Sequence, residues 1–155
     1  MLDKPLTTPL VIRIATSDDF PHVERLDRLS TSPTRNIHRD MEKYFGSIDP
    51  STHERTLIFL GELLNVVVAK AELMLPAKET EHAIGYVKRV VVDSAYRKRG
   101  IARQLMQHII TFAQTEQDLD ALDLHTWEHN VSAIHLYETL GFELQHRELY
   151  FRLTL

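Results

Sequence analysis

The chain has 155 residues, 43% of them apolar and 26% charged, with a formal net charge of −4 and no cysteine. A chain of that length and composition folds around one sizeable core and is not disordered. The lack of cysteine excludes a disulfide framework, a thiol nucleophile and a thiolate zinc site. The acidic balance argues against nucleic acid as a partner, because such proteins present a strongly basic face.

The start, Met1-Leu2-Asp3-Lys4-Pro5, has no apolar run behind a basic segment, so no signal peptide is expected. The most apolar stretch, Leu63 to Leu75, is interrupted by Lys70 and Glu72 and is too short to span a bilayer. A cytoplasmic protein without a membrane partner is expected. Residues 1–9 read as a disordered or extended start, and residues 10–155 read as a single domain, because no linker or repeat divides them.

Val11 to Ile14 alternates as a strand does. Thr16 or Ser17 can cap a helix whose apolar stripe is Phe20, Val23, Leu26 and Leu29, with Asp18 and Asp19 in its first turn. A second short helix would hold Ile37, Met41 and Tyr44 or Phe45 and end near Gly46. The period then changes to two. Thr56–Leu60, Val66–Leu75 and Ala83–Val92 read as three strands of an antiparallel meander, with a turn at Glu62 to Asn65.

The second half alternates helix and strand. Ile101, Leu105, Ile109 and Phe112 mark a long amphipathic helix, and Ala121 to Trp127 a strand. Asn130 can cap a helix bearing Ala133, Ile134, Tyr137 and Leu140 that closes at Gly141. Phe142–Leu144 and Leu149–Leu153 read as a closing strand pair. The fold class is therefore α/β in the α+β sense: a mixed, mostly antiparallel sheet of about seven strands with four helices.

The segment that follows Val90-Val91-Val92 carries the clearest chemistry. Gly100 stands where the long helix begins. A helix start offers unpaired N–H groups and a partial positive charge, so it attracts phosphate. Gly100 and the small Ala102 let a phosphate come close, and Arg97, Lys98, Arg99 and Arg103 surround the terminus with cations. A solvated basic face before an ordinary helix would look the same from these residues alone. Neither the dinucleotide G-x-G-x-x-G nor the G-x-x-x-x-G-K-[ST] loop occurs.

Arg97-Lys98-Arg99-Gly100-Ile101-Ala102 after a strand resembles the [Q/R]-x-x-G-x-[G/A] motif of the GNAT N-acetyltransferase superfamily. Asn130, Ala133, Ile134, Tyr137 and Gly141-Phe142 resemble a second block of that family, N-x-x-A-[I/L]-x-x-Y-x-x-x-G-F. The two blocks and the element order cover residues 10–155. The resemblance implies an acyltransferase that moves the acetyl group of acetyl-CoA onto a primary amine, with no metal. It implies that the fourth and fifth strands splay apart around the CoA. The pantetheine arm would pair with Val90, Val91 and Val92, and the pyrophosphate would rest on the amides of Arg99 to Arg103, Ile101 among them. Asn130 and Tyr137 would lie near the arm and the sulfur. Homodimers are also common in the family.

Acetyl transfer needs a neutral amine, a base, donors for the developing oxyanion and a proton for the leaving thiolate. The resemblance puts a backbone N–H at a bulge near Val91-Val92 as the oxyanion donor. It makes Tyr137 the candidate acid, although the spacing of Tyr137 also suits one more apolar-face residue. Many members carry a Glu on the fourth strand as base; here Lys88-Arg89 stands in that place. Others carry an acid five residues before the Asn, and here that position is His125, whose side-chain type titrates near neutrality. Glu72 and Glu128 are weaker candidates. The remaining histidines show no metal spacing. The acceptor segments would be about 28–48, 76–82 and 145–149, and the acidic balance favours a cationic small molecule over a protein N-terminus or lysine. A non-catalytic acetyl-CoA-binding module on the same fold is the competing reading, supported by the missing fourth-strand Glu.

Overall fold

The computed structural model describes residues 8–30, 35, 41–78 and 81–155. They form two compact units, one running to His125 and one from Thr126 to Leu155. The first unit is a five-stranded sheet in the order β1-β2-β3-β4-β5. Its strands are β1 (Val11–Ile14), β2 (Arg55–Leu63), β3 (Val66–Leu75), β4 (Ile84–Val92) and β5 (Ala121–Leu124), with helices α1 (Phe20–Asp27) and α2 (Ile101–Thr115). Pairing is antiparallel from β1 to β4 and parallel between β4 and β5. A parallel pair needs a crossover, and α2 supplies it.

β2 and β3 are buried along almost their whole length, which explains their apolar runs. A two-residue loop joins them. Leu64 and Asn65 both have positive φ, 48° and 65°, as tight hairpins require. One face of the sheet carries Ile58, Leu60, Val67 and Val91 against Val23 and Leu26 of α1. Residues alternate across a strand, so Phe59 points to the other face. There its ring meets His108 and Phe112 of α2 with centroids 5.7 and 5.2 Å away. α2 buries Ile101, Leu105, Met106, Ile109 and Ala113.

The helix of the first half begins where its cap signals lie. The Asp19 carboxylate accepts the Thr16 N–H at 2.8 Å and two bonds from Arg13 at 2.7 Å each. Arg13 also donates to Glu62, tying β1, β2 and the α1 entry together.

The α1 face of the sheet holds a feature with no apolar counterpart. Lys70 and Glu72, two apart on β3, are fully buried. The Lys70 ammonium lies 2.8 Å from Asp27 of α1 and 2.7 Å from Glu72. Arg35 donates to both oxygens of Glu72 and to Asp27. Two cations and two carboxylates make a neutral quartet. Burial pushes the Glu72 carboxyl up, but the Lys70 charge and the Arg35 hydrogen bonds outweigh it and hold the group below its ordinary value. Asp27 behaves alike.

Two expectations change. Phe142–Leu144 and Leu149–Leu153 form no strands, so the described sheet has five strands rather than about seven. Alternation alone does not make a strand; it needs a neighbour to complete its ladder. Leu149, Phe151 and Leu153 are exposed. The described residues contain three α-helices rather than four. Ile37 of the expected second helix lies outside the described residues, and Met41–Tyr44 forms only a short 3-10 turn.

Glu72→Ala leaves two buried cations short of an acceptor and is expected to destabilise the fold by about 3–5 kcal/mol, measured by urea unfolding. The wild-type carboxylates sit below their unfolded values. Their contribution is therefore complete above the unfolded carboxylate range, about pH 4, and is lost as pH falls below it through their lower folded values. Glu72→Ala should flatten that acid limb of stability; an unchanged limb would remove the quartet as its source.

Candidate active site

β4 ends at Val92, and a short turn leads into α2. Asp93 accepts the Ala95 N–H at 3.1 Å and pairs with Arg25 of α1 at 3.2 Å. Arg25 also donates to the Val67 carbonyl at 2.6 Å, so the base of the turn is tied to α1 and to the start of β3. Gly100 caps α2 with φ 75° and ψ 15°, a left-handed conformation. A Cβ at Gly100 would meet nothing within 4 Å. Backbone conformation, not packing, therefore demands the glycine, and the space above it is open. Lys98 is also left-handed, with φ 61°.

The helix geometry leaves the first-turn amides, from Ile101 onward, unpaired within α2. Ile101 is buried and anchors the turn, and no carboxylate stands in the first turn of α2. Arg97, Lys98 and Arg99 are exposed. Arg97 donates to the Val92 carbonyl at 3.3 Å, and Arg99 lies over the Tyr96 ring at 5.4 Å. A helix start with cations around it, open space above it and no competing anion suits a pyrophosphate.

The strand before the turn splits from its neighbour. β4 pairs with β5 from Ile84↔Ala121 to Val87↔Leu124, and no pair follows. β4 itself is irregular at the same place. On its other side Lys88 pairs with Glu72 and Val91 with Lys70, so β4 carries one more residue than β3 between those points. That is a bulge, with Arg89 in a left-handed conformation of φ 52°. It falls at Arg89-Val90, slightly before the Val91-Val92 position expected from the sequence. Beyond Val87, the β5 side of β4 pairs with no strand among the described residues.

His125 follows the end of β5 and is exposed. Its Nδ1 is 2.5 Å from the Tyr86 hydroxyl, and the two rings lie 5.4 Å apart. Tyr86 stands on β4 opposite Asp123 of β5. The parallel register thus brings the histidine to the strand that carries the bulge, through a residue the sequence reading did not single out. Glu72 is not a usable base: it is fully buried and both its oxygens serve Arg35 and Lys70.

In the C-terminal unit, α3 spans Val131–Thr139. Asn130 stands at its cap position, but its side chain makes no capping bond. Gly141, with φ 99°, follows the helix end as expected. The Tyr137 ring packs edge-on to Phe142 at 5.9 Å, and burial raises the phenol above its ordinary value, keeping it protonated at neutral pH. Glu128 is exposed and paired with Arg147 at 2.6 Å. Among the described residues no cluster of His, Asp or Glu could hold a metal, and no helix is long and apolar enough to cross a membrane.

Residues 21–142 match the model of the Acetyltransferase (GNAT) family. The Drosophila melanogaster protein named Probable N-acetyltransferase san is 32% identical over 132 residues, covering 84% of this chain and 68% of that protein. N-alpha-acetyltransferase 30 of Xenopus laevis is 45% identical over 58 residues, which are 37% of this chain and only 21% of that protein. The matched region thus spans about a fifth of that relative's length. Among solved structures, the aminoglycoside acetyltransferase AAC(6')-Iy, in complex with a bisubstrate analogue, superposes with a TM-score of 0.74 at 16% identity, covering 96% of this chain and 100% of that one. The Bacillus halodurans protein BH1408 (a tetramutant) gives 0.71 at 23% identity, covering 92% and 99%. These two structures share the fold. The family match, spanning most of the chain, places it in the GNAT acetyltransferase family.

Proposed function

We propose that the chain is an N-acetyltransferase that moves the acetyl group of acetyl-CoA directly to a primary amine of a small molecule. The observation that carries this reading is the left-handed Gly100 at the start of α2, placed just after β4 has parted from β5. Family membership supports the reading.

The donor is held by parts with separate tasks. The amides from Arg99 to Arg103 and the surrounding Arg97, Lys98, Arg99 and Arg103 side chains take the pyrophosphate. The pantetheine arm pairs with the β4 edge at Val90 to Val92, where β5 no longer competes. The Val92 carbonyl is already used by Arg97, so the arm's partners lie toward Val90 and Val91. The bulge turns a backbone N–H out of the ladder, which suits it to the oxyanion.

The acceptor arrives as an ammonium, of which only about one in a few thousand is neutral at pH 7. His125, held by Tyr86, accepts its proton directly or through water. The amine nitrogen then attacks the thioester carbon. The C–N bond forms, the nitrogen gives its second surplus proton to water, the C–S bond breaks, and the leaving thiolate takes a proton. The second motif block assigns that proton to Tyr137, whose raised phenol is a proton donor at neutral pH.

Thiol release from acetyl-CoA over a panel of amino acids, amino sugars, polyamines and a short peptide tests the reading. Saturable release with a small amine is expected. Thermal stabilisation by acetyl-CoA without release for any acceptor would leave a binding module instead. Gly100→Ala should raise the KM for acetyl-CoA by about tenfold, since a Cβ enters the phosphate approach and the left-handed backbone is strained. His125→Ala should lower kcat by about a hundredfold with the acetyl-CoA KM little changed, as loss of a general base does. An unchanged kcat would discard His125.

A further inference from the structure

Lys88 sits where the three peculiarities of β4 meet. It is the first residue after the last β4–β5 pair, it immediately precedes the left-handed Arg89 of the bulge, and it stands opposite Glu72 of β3. It is half-buried. Opposite residues on neighbouring strands share a face, so its side chain shares the α1 face with the quartet. Yet Lys88 makes no hydrogen bond or ion pair among the described residues. Its ammonium still reaches solvent, since no buried side-chain nitrogen lacks a partner.

The reason for its isolation is on the same face. Glu72 opposite is consumed by Arg35 and Lys70, and Asp27 behind it by the same two cations. The quartet is neutral, so Lys88 is a surplus positive charge. Burial lowers its proton affinity first; Glu72 opposes this, while Arg35, Arg89 and Lys43 add to it. Among the described residues, the charged groups acting on Lys88 therefore include more cations than anions, opposite in sign to the chain's net charge. A half-buried ammonium with no counter-ion among the described residues is relieved by an anion that arrives from outside.

We propose that Lys88 selects the acceptor: it binds a carboxylate or phosphate carried by the amine that receives the acetyl group. This rests on the transferase reading and narrows it. The acceptor is an anionic or zwitterionic amine, and the acidic bulk charge that favoured a cationic one is overruled by the local charge at β4. Lys88 is a binding residue in this account, and proton removal stays with His125.

The test compares matched acceptors by thiol release: L-phenylalanine with L-phenylalaninamide, glucosamine 6-phosphate with glucosamine, and spermidine as a purely cationic amine. The wild type should favour an anionic member by about tenfold or more in kcat/KM, the scale of one charge-assisted contact. Whichever pair shows the preference identifies the anion as carboxylate or phosphate. Lys88→Met should abolish the preference chiefly through the acceptor KM, with the acetyl-CoA KM unmoved, and Lys88→Arg should retain part of it. Equal or better use of the neutral or cationic acceptors by the wild type overturns the inference and leaves the transferase reading standing. So does a preference that survives Lys88→Met. No thiol release with any acceptor overturns the transferase reading and this inference with it.

Discussion

Lys70 is an ammonium with no exposure to water, and it must find acceptors inside the protein. It finds three: Asp27 at the end of α1, Glu72 on its own strand, and the Arg89 carbonyl at the β4 bulge, the last at a long 3.5 Å. Arg35 then completes the two carboxylates. One buried charge thereby joins the first helix, the central strand and the irregular strand. None of these contacts is replaceable by apolar packing one residue at a time, because each loss strands a charge.

The rest of the site follows from what happens beside that knot. A regular β4 could pair with β5 along its full length, and no edge would remain. The extra residue at Arg89-Val90 ends that regularity at the level where pairing with β5 ceases. Backbone groups of Val90 and Val91 are left along an edge, and the strand runs directly into the Gly100 turn. The same event leaves Lys88 on the charged face with its natural counter-ion already taken. The proposed donor site and the proposed acceptor contact thus both lie at a single departure from regular pairing.

Much of this was legible in the chain. β3 is found at Val66–Leu75 as its β-branched run predicts, because a doubly buried strand needs such residues. The Gly100 turn was legible because a glycine before an apolar-periodic helix is a local signal. Lys70 and Glu72 appeared only as interruptions of an apolar run; their partners Asp27 and Arg35 lie 37 and more residues away in sequence, and no local pattern announces such a pairing. The partnership of His125 with Tyr86 depends on parallel register, which sequence period does not encode. The closing strand pair failed for a related reason: Leu149, Phe151 and Leu153 alternate correctly, but alternation does not supply the neighbouring backbone that a ladder requires.

The central claim is that the β4 edge and the Gly100 turn hold the acetyl donor. Amide hydrogen exchange with and without CoA reads this directly. The account predicts slowed exchange concentrated in residues 88–92 and 98–104. Protection confined to other segments, or none at saturating CoA, would contradict it.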